Sequence, residues 1–133
     1  MFAKNVVAYG IKDLVDAYRR NNPGLKYIVL IGNDNAIPFF RYPDQALLGH
    51  ESGYEPPVLD TSASEASLKT GYFLAQDTYG AITEVERRNT SIPVPGLAVG
   101  RLVERLEEIV AVINAFLSTN GTVPSPRTAL VTG

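Results

Sequence analysis

Val7, Ile11, Leu14, Val15 and Tyr18 recur at helical spacing, while Lys12, Asp13, Asp16, Arg19 and Arg20 fill the opposite face. That pattern predicts an amphipathic helix over residues 5–21, built to lie on an apolar surface. Gly10 weakens it by about 1 kcal/mol relative to alanine, and Asn21-Asn22-Pro23-Gly24 stops it. Tyr27 to Ile31 follows as an unbroken apolar run rich in β-branched residues, which predicts a strand covered on both faces of a parallel sheet.

From residue 33 to residue 71 the periodicity breaks down. Pro38, Pro43, Pro56 and Pro57 interrupt it, and polar clusters lie between them. The expectation is a long irregular region that wraps a sheet edge or belongs to an interface. Within it, Ala63 to Lys69 suits a short helix capped by Ser62 or Ser64, and Tyr72 to Ala75 suits a short strand just beyond.

Leu97-Ala98-Val99 is entered from a segment holding Pro93 and Pro95, and predicts a short strand ended by Gly100. Next comes the clearest helical pattern in the chain. Leu106, Ile109, Val110, Ile113, Phe116 and Leu117 form one stripe, Glu104, Glu107 and Glu108 sit at its start, and Asn120-Gly121 stops it. Thr128 to Val131 then reads as another buried strand. The strand–helix–strand succession implies parallel strands joined by a right-handed crossover. Residues 1–133 are thus expected to form a single α/β segment, a Rossmann-like fragment with a short parallel sheet flanked by helices. A first helix with no strand before it and a last strand with no helix after it suggest part of a larger domain. Apolar surface left bare by the missing part would promote self-association.

Composition narrows the functions. A net charge of -2, with no basic run longer than a pair, gives no electrostatic footprint for nucleic acid. No apolar run is long enough to span a membrane or to act as a signal peptide, so any export signal is expected upstream. With no cysteine there is neither a disulfide nor a thiolate nucleophile or metal ligand among these residues.

No cofactor motif is present. Gly32-Asn33-Asp34-Asn35 follows the first strand, where open parallel sheets place ligands, but it is neither a dinucleotide fingerprint nor a P-loop. The expectation is that Gly32 permits a turn and that Asn33, Asp34 or Asn35 bonds to the local backbone. Asp34, Asp44, Asp60 and Asp77 match no twelve-residue calcium loop and are expected to be scattered surface acids. Asp77 and Arg101 both leave strand ends, and the expectation is a pair that ties the long loop to the sheet. His50 stands in a polar loop and no serine lies in a nucleophile elbow, so the chain by itself is expected to be inert. The tyrosines, with Phe39 and Phe40, are expected in the core and at interfaces.

Three segments carry a family resemblance: Tyr27-Ile28-Val29-Leu30-Ile31-Gly32-Asn33-Asp34-Asn35-Ala36-Ile37-Pro38-Phe39, Asp77-Thr78-Tyr79-Gly80, and Leu97-Ala98-Val99-Gly100-Arg101-Leu102 ahead of the acidic-start helix. In this order they resemble the front of the gingipain-like cysteine peptidases. The resemblance implies a caspase-like, three-layer domain and gives Asp34, Asp77, Tyr79, Gly100 and Arg101 structural roles. It places the catalytic His and Cys beyond Gly133, so that His50 is not the catalytic histidine. The implied partner is the remainder of the parent peptidase domain, and the implied setting of that parent is secreted or cell-surface. Asn33 stands where the family often has Asp, and the region from Phe40 to Tyr72 is longer than a compact member needs.

Overall fold

The computed structural model describes residues 3–46, 49–53, 59–87, 90–103 and 105–122. The chain is a mixed α/β protein whose described residues form three helices and six short strands. They divide into two compact units, Met1–Leu102 and Val103–Gly133.

In the first unit, helix α1 (Ala3–Asn21) fulfils the amphipathic pattern. Its last turn is closed by side chains: the Asn21 amide donates to Ala17 O and the Asn22 amide to Tyr18 O, satisfying carbonyls that a helix end leaves free. Strand β1 (Tyr27–Ile31) pairs in parallel with β6 (Ala98–Leu102), Tyr27 opposite Ala98 and Ile31 opposite Leu102. Gly100 therefore does not end β6. It pairs opposite Val29 with nothing near its missing side chain, and the ladder runs through it to Leu102.

The irregular region is more ordered than its prolines suggest. Strand β2 (Phe40–Pro43) pairs antiparallel with β3 (Tyr72–Ala75), and helix α2 (Ala63–Lys69) precedes β3. Ser62 caps α2 by accepting the Glu65 N–H at 3.1 Å, as its sequence suggests. Pro38 lies before β2 and Pro43 at its last position, so neither removes a donor from its interior. A second unforeseen pairing is the hairpin of β4 (Ala81–Arg87) and β5 (Thr90–Pro95), with a bulge between Ala81 and Thr83. Pro93 and Pro95 argue against a strand, but an edge strand accepts them.

The expected single parallel sheet flanked by helices is thus replaced, among the described residues, by three two-stranded sheets, of which only β1–β6 is parallel. The predicted strand at Thr128–Val131 lies outside the described residues.

What joins the β1–β6 and β2–β3 sheets is an aromatic core. Phe40 meets Tyr9 and Tyr79 edge-on, both at 5.0 Å, and stacks on Tyr42, which stacks in turn on Phe73. Edge-on pairs of this kind add about 0.5–1.5 kcal/mol beyond the area they bury. Ala8 lets α1 approach, and Leu30 brings β1 into the same cluster.

In the second unit, α3 (Leu106–Ser118) starts where Glu107 and Glu108 were expected to favour it, and Glu108 accepts the Arg105 N–H at 3.0 Å. It stops at Asn120 and Gly121, both with positive φ, where the Gly121 N–H returns to Phe116 O.

Candidate functional site

The C-terminal end of the β1–β6 pair is the position at which open parallel sheets collect function. The turn there begins at Gly32, whose φ of +129° and 2.9 Å approach of a notional Cβ to Ala36 exclude a side chain. Asn33 Oδ1 accepts the Asn35 N–H at 3.0 Å, the local backbone bond that its residue type predicts.

Asp34 is not a surface acid. It is 7% exposed, and its carboxylate is filled by donors. Oδ1 accepts the Phe39 N–H at 2.9 Å and Arg41 Nη1 at 2.8 Å. Oδ2 accepts Arg41 Nη2 at 2.5 Å, Lys4 Nζ at 3.0 Å and Ser64 Oγ at 3.0 Å. Burial pushes its pKa up, but the hydrogen bonds from Arg41, the Phe39 amide and Lys4, with the Arg41 charge, outweigh burial and hold it far below the ordinary carboxylate range. Arg41 is equally committed. It is 2% exposed, and its Nε donates to Ser67 Oγ at 3.1 Å.

Arg101 reaches the same loop from β6. Its Nη1 donates to Gly32 O and Ile37 O, both at 2.8 Å, and the guanidinium lies 4.1 Å above the Phe39 ring. Its Nε goes to Gln76 Oε1 at 3.1 Å, not to the neighbouring Asp77, which is exposed and forms no ion pair with it. The expected Asp77–Arg101 tie is therefore replaced by carbonyl contacts. Asp77 opens a tight turn, and a side chain at that position points to water rather than back at the sheet. The turn contributes Tyr79 instead, fully buried, whose hydroxyl donates to Pro38 O at 2.6 Å. Burial raises the Tyr79 pKa to about 12, with Arg101 and Arg41 opposing the rise and Asp34 adding to it.

Asp34, Tyr79 and Arg101 thus converge on the single loop from Gly32 to Phe39, and Gly100 stands beside them in β6. Sequence reasoning missed Arg41, Lys4 and Ser67, and read Ser64 only as a helix cap. One signal was available: Arg41 is the lone charge in Phe39-Phe40-Arg41-Tyr42, and a charge inside an aromatic run needs a buried partner.

This arrangement holds the loop from Gly32 to Phe39 in place. An Asp34 carboxylate that stays ionised and has every lone pair engaged is neither a general base nor an open metal ligand. His50 is exposed, and its Nδ1 lies 3.6 Å from Asp44 Oδ2. Among the described residues no group of acids and histidines is placed to hold a metal, and no helix is long and apolar enough to cross a membrane. No family model, curated protein or solved structure matches the chain.

Proposed function

We propose that this chain is the non-catalytic front part of a gingipain-like cysteine endopeptidase domain, inert in isolation, with the remainder of the parent domain as its partner. One observation carries the reading. The three segments that resemble the family, far apart in sequence, meet on one loop through Asp34, Tyr79 and Arg101.

In this reading the three-layer, caspase-like sheet is completed by strands and helices of the parent, and β1 and β6 are two of its strands. The chemistry belongs to the parent: a Cys thiolate attacks the peptide carbonyl, a His protonates the leaving amine, and backbone amides hold the oxyanion. The residues described here supply a rigid loop at the strand ends and no reacting group. A secreted or cell-surface parent follows from the same resemblance.

A second reading, a binding or structural module on the same scaffold without catalysis, is favoured by the exposed apolar row Tyr27, Val29 and Ile31. The parent gene downstream of Gly133 separates the two. A Gly-His-Gly after one apolar strand and a Cys after the next is the expected result. Absence of both over roughly two hundred further residues, a full domain's length, leaves only the binding module.

A further inference from the structure

The last turn of α1 carries two adjacent arginines, Arg19 and Arg20. Basic side chains at a helix end normally serve the free carbonyls there. In this helix the Asn21 and Asn22 amides already bond to Ala17 O and Tyr18 O, and the Asn22 N–H bonds to Arg19 O. The arginines are left without that task. Among the described residues neither guanidinium has a hydrogen-bond acceptor or a carboxylate partner.

Both line a cavity of about 660 Å³, within the range of roughly 300–1,000 Å³ typical of small-molecule sites. Leu25 lies just before β1, and Gly96 and Leu97 just before β6, so the cavity sits at the N-terminal ends of the parallel pair. The Gly32–Phe39 loop stands at the opposite ends. Leu25, Ile82 and Leu97 supply the apolar part of the lining. Asp16, the acid in this lining, is already held by Lys12 Nζ at 2.8 Å. The charges of Arg19 and Arg20 are therefore uncompensated within the cavity.

Gly96 seats Arg19. Its φ is not in the left-handed region, so the backbone there does not call for glycine. The space does. A Cβ would stand 2.2 Å from the Ile82 side chain and 3.1 Å from Arg19 Nη2. Arg19 is half-buried against this bare backbone, and a guanidinium so packed has less freedom to lose when a ligand arrives.

We propose that this cavity is a binding site for a small organic oxyanion, a carboxylate or phosphate ester joined to a short apolar body. The guanidinium groups select the head. Their planar forks match the paired oxygens of carboxylate and phosphate, and charge-assisted bonds of this kind are stronger than neutral ones. The apolar lining selects the body, which covers an Ile82 side chain that is 67% exposed without it. Two cations in one pocket are too few for a nucleic-acid track, and a net charge of -2 adds no wider attraction. The site lies away from the strand-end loop, so it goes beyond the peptidase reading and stands whether or not the parent carries a catalytic dyad.

The test is an NMR titration of the full chain, read at the Ile82, Gly96 and Leu97 amides and the arginine Nε–H signals. Hexanoate and hexyl phosphate carry both head and body, hexanamide the same body with a neutral head, and inorganic phosphate the charge alone. Hexanoate or hexyl phosphate is expected to bind at least about tenfold more tightly than hexanamide or inorganic phosphate, and the tighter of the two names the head group. Arg19→Gln combined with Arg20→Gln is expected to weaken that probe at least about tenfold, and the fold survives because neither side chain is bonded within it. Arg105→Gln removes a charge elsewhere and is expected to leave binding unchanged. Gly96→Ala crowds Ile82 and Arg19 and is expected to weaken binding with every charge retained. No binding of either organic oxyanion overturns the proposal, because the arginines are then merely solvated or already covered. Equal binding of hexanamide makes the cavity only apolar, and equal binding of inorganic phosphate makes it only charged; each overturns it. An equal loss in Arg105→Gln also overturns it, because the attraction then belongs to the charge of the whole chain. None of these outcomes depends on the sequence downstream of Gly133.

Discussion

Asp34 and Arg41 meet end-on in the interior, guanidinium Nη1 donating to Oδ1 at 2.8 Å and Nη2 to Oδ2 at 2.5 Å. The pair joins the turn after β1 to β2, and so ties the parallel sheet to the antiparallel one. Removing one partner strands the other. Arg41→Met is expected to cost about 3–5 kcal/mol in urea denaturation, as for a broken buried pair. The double variant Asp34→Leu with Arg41→Met is expected to recover part of that loss, because no uncompensated charge remains. Equal stability of the single and double variants contradicts this account.

Acid stability depends on the same carboxylate. Asp34 has an ordinary pKa of 3.8, depressed in the folded chain. A group depressed on folding stabilises above its unfolded pKa, and its contribution is lost as pH falls through the folded value. Stability is therefore expected to be level in this respect above about pH 4 and to decline steadily below it. Asp34→Asn is expected to lower stability at neutral pH and to flatten the acid limb. Denaturation midpoints measured across that range check the slope, and an unchanged acid limb in the variant refutes it.

Tyr79 governs the alkaline side. Its pKa rises on folding from 10.0 to about 12, so its contribution is present below 10.0 and lost as pH rises toward about 12. Tyr42, buried and bonded to Thr78, is raised as well, with burial the largest cause. Two of the seven tyrosines are thus expected to ionise last and together with loss of the fold. Tyrosinate absorbance recorded beside circular dichroism tests this. Tyr79→Phe keeps the ring, leaves Pro38 O without its donor, and is expected to cost about 1–3 kcal/mol.

Arg101 and Asp77 are expected to behave as strangers. Arg101→Ala frees the carbonyls of Gly32 and Ile37 and the face of Phe39, so a loss of about 1–3 kcal/mol is expected. Asp77→Ala is exposed and expected to stay within about 0.5 kcal/mol of the parent chain. A double-mutant cycle is expected to show no coupling, and a coupling above about 1 kcal/mol would restore the ion pair.

The Asn5 carboxamide acts as a stand-in for a strand. It accepts the Arg41 N–H at 2.9 Å and donates to Arg41 O at 3.0 Å, closing the free edge of β2 from α1. Asn5→Leu leaves two buried backbone groups unpaired and is expected to cost about 1–3 kcal/mol, read as a fall in thermal midpoint with the helix content retained. A variant as stable as the parent chain would show that water replaces the amide.

Local pattern determined the long elements of this protein. The stripe from Val7 to Tyr18, the run Tyr27–Ile31, the capped turn Ser62–Lys69 and the stripe from Leu106 to Leu117 are each readable, because periodicity and end signals act between residues a few positions apart. Gly32 and Asn33 were readable for the same reason. Tertiary structure alone decided which strands pair, since β2, β4 and β5 are short, proline-marked or charged, and their stability comes from partners tens of residues away. It also decided the fate of each charge. Asp34 and Asp77 look alike in sequence, yet one is enclosed by Arg41, Lys4 and Ser64 while the other faces water. Desolvation and its compensation depend on which groups the fold brings within hydrogen-bonding distance, and that is a property of three dimensions.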